Sequence, residues 1–134
     1  MKPTRFIIVD DDPCNNMLCR FMLEQAVDAE IVDFTNPKDA IIYITSAYEQ
    51  VSEENTTILL LDINMPEMTG WQFLEWFDTA PPQIKRTISI YMVSSSVDHR
   101  DKERAAANPY IKNFFTKPLQ AEVITCSIGC KQEC

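Results

Sequence analysis

The chain has 134 residues, 46% of them hydrophobic and 24% charged, with a formal net charge of −8. That length holds one domain with a real core, and the acidity speaks against a nucleic-acid surface, which needs clustered Lys and Arg, and for a protein that holds a cation or docks on basic surfaces. No apolar run approaches the ~20 residues of a membrane span, and Met1-Lys2-Pro3-Thr4-Arg5 leads directly into a strand without a signal-peptide core, so the chain reads as cytoplasmic.

Arg5-Phe6-Ile7-Ile8-Val9 reads as an apolar strand that runs into three acids, Asp10, Asp11 and Asp12. Pro13 opens a helix with Asp12 as its N-cap. In that helix Cys14, Leu18, Phe21, Met22 and Ala26 follow the spacing of an apolar face, with Leu18–Met22 and Met17–Phe21 as i,i+4 pairs. Glu30-Ile31-Val32-Asp33-Phe34 alternates like a strand exposed on one side, which places it near a sheet edge. Thr35-Asn36-Pro37 starts a second helix with Ala40, Ile41, Ile44 and Ala47 as its stripe. Residues 48–56 are polar and acidic, a surface loop or a frayed helix end.

Ile58-Leu59-Leu60-Leu61 is the pattern of a strand buried on both faces, and it stops at a carboxylate, Asp62. Asn64-Met65-Pro66-Glu67-Met68-Thr69-Gly70 is a turn-rich connection into a third helix, where Phe73, Leu74 and Phe77 form a core face and Trp71 suits core or surface. Pro81-Pro82 breaks that helix. Thr87–Val93 is a fourth strand followed by three hydroxyls, Ser94, Ser95 and Ser96. A polar helix spans residues 98–108, Ile111–Phe115 is a short fifth strand leading to Thr116-Lys117-Pro118, and a last helix runs from Leu119 to about Ile128.

This alternation implies an α/β, doubly wound parallel sheet with right-handed crossovers and helices on both faces. The only glycines are Gly70 and Gly129, which excludes Gly-rich phosphate loops of the P-loop and dinucleotide-binding kinds. Cys126, Cys130 and Cys134 recur every four residues, but Gly129 interrupts them and no His is near, so they read, like Cys14 and Cys19, as reduced thiols.

In open α/β sheets ligands bind at the carboxyl ends of the strands. Four strands here end in reactive groups: Asp10 and Asp11, Asp62, Ser94, and Lys117. Three carboxylates on one rim repel one another and raise one another's pKa unless a cation neutralises them. Oxygen ligands with room for water favour Mg²⁺. A carboxylate, a metal, a lysine and a hydroxyl are what a phosphoryl group needs, with the carboxylate as nucleophile. Each residue alone has a plainer reading as an N-cap, a turn hydroxyl or a surface lysine. Agreement among four strand ends favours the chemistry.

These residues and their order resemble the response-regulator receiver domain of two-component signalling, through Val9-Asp10-Asp11-Asp12, Leu61-Asp62-Ile63-Asn64-Met65-Pro66-Glu67-Met68-Thr69-Gly70, Val93-Ser94-Ser95 and Thr116-Lys117-Pro118. The resemblance covers about residues 5–128 of a single domain, 1–134. It implies a flavodoxin-like receiver fold with five strands in the order 2-1-3-4-5. It also implies that Asp62 is the phosphoacceptor and that Mg²⁺ is held by Asp11, Asp62, the Asn64 backbone carbonyl, and Asp10 directly or through water. Ser94 is then the switch hydroxyl and Lys117 the phosphate-binding lysine.

The family couples the hydroxyl to an aromatic three residues before the lysine, here Phe114, which lacks the hydroxyl of the Tyr often found there; Phe114 as plain core is the competing reading. The implied phosphodonor is a sensor histidine kinase or His-phosphotransfer protein, since His99, the one histidine, reads as a solvated helix-start residue. The expected activity is that of a stand-alone switch without an effector domain, acting on an unidentified protein target, with no nucleic acid or membrane partner, and not an enzyme. A degenerate receiver serving only as an interaction module is a second reading. An Asp-nucleophile phosphohydrolase is a third, opposed by Asn64, which stands two residues after Asp62 where such enzymes carry an acid.

Overall fold

All six residues of Thr57–Asp62 (β3) are buried, as a strand covered on both faces requires. The computed structural model describes residues 4–47, 56–95, 98–117 and 119–120. In it β3 lies between β1 (Arg5–Val9) and β4 (Ile88–Ser94), with β2 (Glu30–Phe34) and β5 (Ile111–Thr116) at the edges. Every pairing is parallel and the order is 2-1-3-4-5. The helices are α1 (Pro13–Ala26), α2 (Pro37–Ala47), α3 (Gly70–Thr79), α4 (Pro82–Thr87) and α5 (His99–Ala107). None of the described helices is long and apolar enough to cross a membrane.

The period of two along each strand divides the core. Ile7, Val9, Leu59, Leu61, Ile90 and Met92 join Ala40, Ile44, Phe73, Leu74, Phe77 and Ala105 of α2, α3 and α5 in the larger cluster. Phe6, Ile8, Ile58, Leu60, Tyr91, Val93 and Phe115 join Leu23 of α1 in the smaller one. β5 departs from the period. Ile111 and Phe114 both pack on the larger cluster although they stand three positions apart. A register shift between Ile90 and Tyr91, whose partners are Ile111 and Asn113, makes Lys112 the extra residue of a bulge. The bulge reverses the facing of everything after it. Phe115 therefore packs on the α1 side, and Lys117, two residues on, shares that side.

Three expectations change. The apolar face expected along α1 is largely solvent-exposed: Met17, Leu18 and Phe21 are 66%, 67% and 64% exposed, and the buried residues are Asn16 and Leu23. Cys14 is exposed as well. Pro81-Pro82 ends α3 as expected, but Pro82 then sits at the first turn of a further short helix, α4, where its missing N–H is no loss. Thr87 belongs to that helix, its hydroxyl donating to the Gln83 carbonyl at 2.7 Å, so β4 begins one residue later than expected. Trp71, left open between core and surface, is buried. The last helix expected over 119–128 lies outside the described residues except for Leu119 and Gln120, which are not helical. Cys126, Cys130 and Cys134 lie outside them too.

Candidate functional site

Asp10 follows the last residue of β1 and Asp62 is the last of β3, side by side one step beyond the Val9–Leu61 pair. Their positions carry the same parity as Ile8 and Leu60, so both side chains turn to the α1 side of the sheet. They line a cavity of about 90 Å³ with Ile8, Leu60, Val93, Asn15, Leu18, Cys19, Lys117 and Leu119. The bulge in β5 delivers Lys117 to the same cavity. Its Nζ donates to Asp10 Oδ2 at 2.6 Å and lies 3.4 Å from Asp62 Oδ1. Its own N–H donates to the Ser94 carbonyl at 2.9 Å, which fastens the lysine to the end of β4.

Asp10 is also held from below. The Asp12 N–H donates to its Oδ1 at 2.9 Å, while Asp12 caps α1 by accepting from the Cys14 N–H. Asp11 stays exposed between them. Asp10, Asp11 and Asp62 each bring one carboxylate oxygen within 4.8 Å of the others.

The electrostatics follow from crowding and burial. Burial, then the charge of Asp10, pushes the Asp62 carboxyl up from 3.8 to about 6, against the opposing pull of Lys117. Burial alone would lower the Lys117 ammonium. Its hydrogen bond to Asp10 and the charges of Asp62 and Asp10 outweigh that, and the net shift is upward. The Cys19 thiol, buried beside the same acids, is pushed up to about 12, so it stays protonated. Three carboxylates facing one ammonium, all-oxygen and partly open to solvent at Asp11, are a donor set that fits a hard divalent cation such as Mg²⁺.

The loop after Asp62 is fixed by Gly70. Its N–H donates to the Ile63 carbonyl at 2.7 Å, and a Cβ there would lie 2.6 Å from the Asp62 carbonyl oxygen. Thr69 closes a capping box with Gln72 and starts α3 at that contact. Between these points Met65 is buried and Asn64 is exposed.

Of the residues expected at the site, Asp10, Asp11, Asp62 and Lys117 come together. Ser94 joins through its backbone and is fully buried. By parity with Ile90 and Met92 it belongs to the opposite side of the sheet, the side on which Phe114 packs. Ser94 and Phe114 thus share the α5 side, opposite neighbouring partners of one ladder, Ser94 on Thr116 and Met92 on Phe114. Asn16, Cys19 and Leu119 border the site without any sequence signal toward it. Asn16 follows a second amide, Asn15, in the sequence, and nothing in the pair marks which of the two turns inward.

Comparison with known proteins agrees with this architecture. The family model described as response regulator receiver domain matches residues 6–128. The chain is 28% identical over 124 residues to the transcriptional regulatory protein FlgR of Helicobacter pylori, covering 92% of this chain and 28% of that protein. It is 26% identical over 122 residues to the two-component response regulator ORR1 of Oryza sativa, covering 89% of this chain and 51% of that protein. The chain therefore spans about half or less of the length of these curated relatives. Among solved structures, a two component response regulator from Cytophaga hutchinsonii superposes with a TM-score of 0.83 at 26% identity, covering 97% of each chain. A response regulator receiver protein from Dyadobacter fermentans gives 0.77 at 27% identity, covering 93% of this chain and 98% of that one. On its match to the family model and on its fold, the chain belongs to the response regulator receiver domain family.

Proposed function

We propose that the chain is a phosphoacceptor switch of a two-component phosphorelay, acting in the cytoplasm. The observation that carries this reading is the meeting of Asp10, Asp11 and Asp62 around Lys117 at adjacent strand ends. An oxygen of the ionised Asp62 carboxylate attacks the phosphorus of a phosphohistidine on a sensor histidine kinase or His-phosphotransfer protein. The P–N bond breaks, its electron pair stays on the imidazole, and an acyl phosphate forms on Asp62. No general base is needed, because the nucleophile is already an anion.

Asp11, Asp62, the Asn64 carbonyl, and Asp10 directly or through water would hold Mg²⁺, which would supply neutralisation of the transferred oxygens. Lys117 shifts from Asp10 to a phosphoryl oxygen, and the Ser94 hydroxyl turns from the α5 side to donate to another. The new group adds about −1.5 to −2 charge at the rim. Ser94 and Phe114 face α5, so their rearrangement repacks α5 and β5 and alters a protein-binding surface.

The phosphodonor has a surface to dock on. Met17, Leu18 and Phe21 form an exposed apolar patch on α1, whose first turn begins at the acidic rim. Asp11, Asp12 and Glu24 border it, all exposed. The matching surface is an apolar helix face flanked by Lys and Arg that presents the phosphohistidine. Phe21→Ser is expected to slow transfer from such a protein donor and to leave phosphorylation by acetyl phosphate unchanged.

The direct test is intact mass after incubation with acetyl phosphate and Mg²⁺. The expected result is a gain of one phosphoryl group that is lost in Asp62→Asn and in EDTA. A gain that persists in Asp62→Asn would overturn the reading.

A further inference from the structure

We infer that Asn16 is a positioning residue for the phosphoacceptor site, its amide locking the peptide that joins Asp10 to Asp11. The inference rests on the reading of that site as a Mg²⁺-dependent phosphoacceptor. Asn16 is 1% exposed, on the sheet-facing side of α1. Its Nδ2 donates to the Asp10 carbonyl at 2.9 Å and to the Phe34 carbonyl at 3.3 Å. The same Phe34 carbonyl accepts from the Asp10 N–H at 3.1 Å. One amide group thus spans the ends of β1 and β2 from the first turn of α1.

The consequence comes from peptide planarity. The Asp10 carbonyl, the Asp11 nitrogen and the Asp11 Cα lie in one rigid plane. Holding the Asp10 carbonyl therefore sets where Asp11 leaves the backbone relative to Asp10. Asp11 is exposed, so packing does not orient it. The Asp10 carboxylate is tied separately, by the Asp12 N–H and Lys117. The spacing between the two carboxylates, which a small octahedral cation reads closely, then depends on the plane that Asn16 grips.

Asn16 is not a residue chosen for stability. Its Oδ1 is buried without a hydrogen-bond partner among the described residues, an arrangement that costs free energy wherever it occurs. An isosteric apolar side chain would remove that orphan and leave the Asp10 carbonyl without its donor, two changes that offset each other. What the amide supplies instead is its two donors, both aimed at strand-end carbonyls beside the site.

The test uses Asn16→Leu, with Mg²⁺ affinity measured by calorimetry on the unphosphorylated protein and thermal stability measured alongside. Groups that orient metal ligands typically change affinity by 10–100-fold when removed. The expected result is Mg²⁺ binding weakened about 10-fold, with the thermal midpoint little changed. Asn16→Ser, short enough to admit water to both carbonyls, serves if Leu cannot be packed, and the same weakening is expected of it. Leu23→Ala, a destabilising change on the same helix remote from the acids, is expected to lower the midpoint and keep the parent's Mg²⁺ affinity.

Parent-like Mg²⁺ affinity in Asn16→Leu and Asn16→Ser would overturn the inference. So would an equal loss of affinity in Leu23→Ala, which would trace the effect to stability. A parent protein that gains no phosphoryl group from acetyl phosphate and Mg²⁺ overturns the functional reading instead, a result distinct from either.

Discussion

Lys117 is anchored on Asp10, at 2.6 Å, and stands farther from Asp62, at 3.4 Å. The cation thus rests on the acid that is not the proposed acceptor and leaves Asp62 less neutralised than its neighbour. Lys117 has two separate effects here: it lowers the Asp62 carboxyl, and it competes with any metal for the same oxygens. Lys117→Met separates them. Mg²⁺ affinity is expected to hold or rise, since a rival cation is gone. Phosphorylation by acetyl phosphate is expected to fall about 100-fold, the usual scale for removing a group that stabilises transferred charge. Parent-like phosphorylation kinetics in Lys117→Met would remove the lysine from the mechanism.

Asp62 makes stability depend on pH in an unusual direction for a carboxylate. Burial and Asp10 raise it from 3.8 to about 6 in the folded chain. Below the lower value both folded and unfolded chains hold the proton and nothing is lost. As pH rises through about 6 the folded chain gives up its proton against burial, and up to about 3 kcal/mol of stability goes with it. Asp62→Asn stays neutral throughout. In EDTA it is expected to match the parent near about pH 4 and to unfold roughly 5–10 °C higher near about pH 7.5. Mg²⁺ is expected to raise the parent's midpoint more than the variant's. Thermal unfolding at the two pH values, with and without the metal, measures all of this, and a variant no more stable than the parent at the higher pH contradicts it.

Gly70→Ala sets two known effects against each other. In a helix, Ala is favoured over Gly by about 1 kcal/mol. Here the added Cβ would stand 2.6 Å from the Asp62 carbonyl oxygen and 3.1 Å from the Ile63 Cα, both backbone atoms that cannot swing aside. Overpacking of that kind costs about 1–3 kcal/mol, so the net change is expected to be destabilising, by roughly 1–2 kcal/mol. The shift falls on the peptide of Asp62, the proposed phosphoacceptor, so acetyl phosphate labelling should slow as well. Urea unfolding read together with the labelling rate checks both; a stabilised variant with parent-like labelling would mean that the contact at Gly70 is loose.

Much of this is legible in the sequence. The run from Ile58 to Leu61 announced a central strand because a two-sided burial leaves no polar position, and Asp62 stood out against it. The acids at 10–12 and Lys117 were marked by their places at strand ends. The unread parts share a cause: they depend on contacts between elements rather than on local pattern. Nothing in Ile111-Lys112-Asn113-Phe114 signals a bulge, yet the bulge decides that Lys117 faces Asp10 rather than α5. The periodicity of α1 was real, but Met17, Leu18 and Phe21 mark a face turned outward. Period alone does not say which face is covered. Asn16 is not legible in the sequence because an amide in a helix has no signature until its partners, Asp10 and Phe34, are seen.

Trp71 connects the site to the surface proposed to change. It follows Gly70, whose N–H donates to the Ile63 carbonyl next to Asp62, and the Arg104 guanidinium of α5 lies over its ring at 4.4 Å from the centroid. The contact bridges the start of α3 and the last turn of α5, so movement of α5 after phosphorylation must alter the cation above the indole. Such a contact is worth about 0.5–1 kcal/mol at an exposed position, enough to bias two arrangements of α5 and too little to hold one against new contacts at the phosphoryl group. Beryllofluoride with Mg²⁺ is expected to change the fluorescence of the parent. The chain holds a second indole, Trp76, so Trp71→Phe assigns the signal. Arg104→Ala is expected to shift the resting spectrum toward the beryllofluoride-treated one and to shrink the remaining change. Full retention of the change in Trp71→Phe would place the reporter at Trp76 and leave the α3–α5 contact outside the switch.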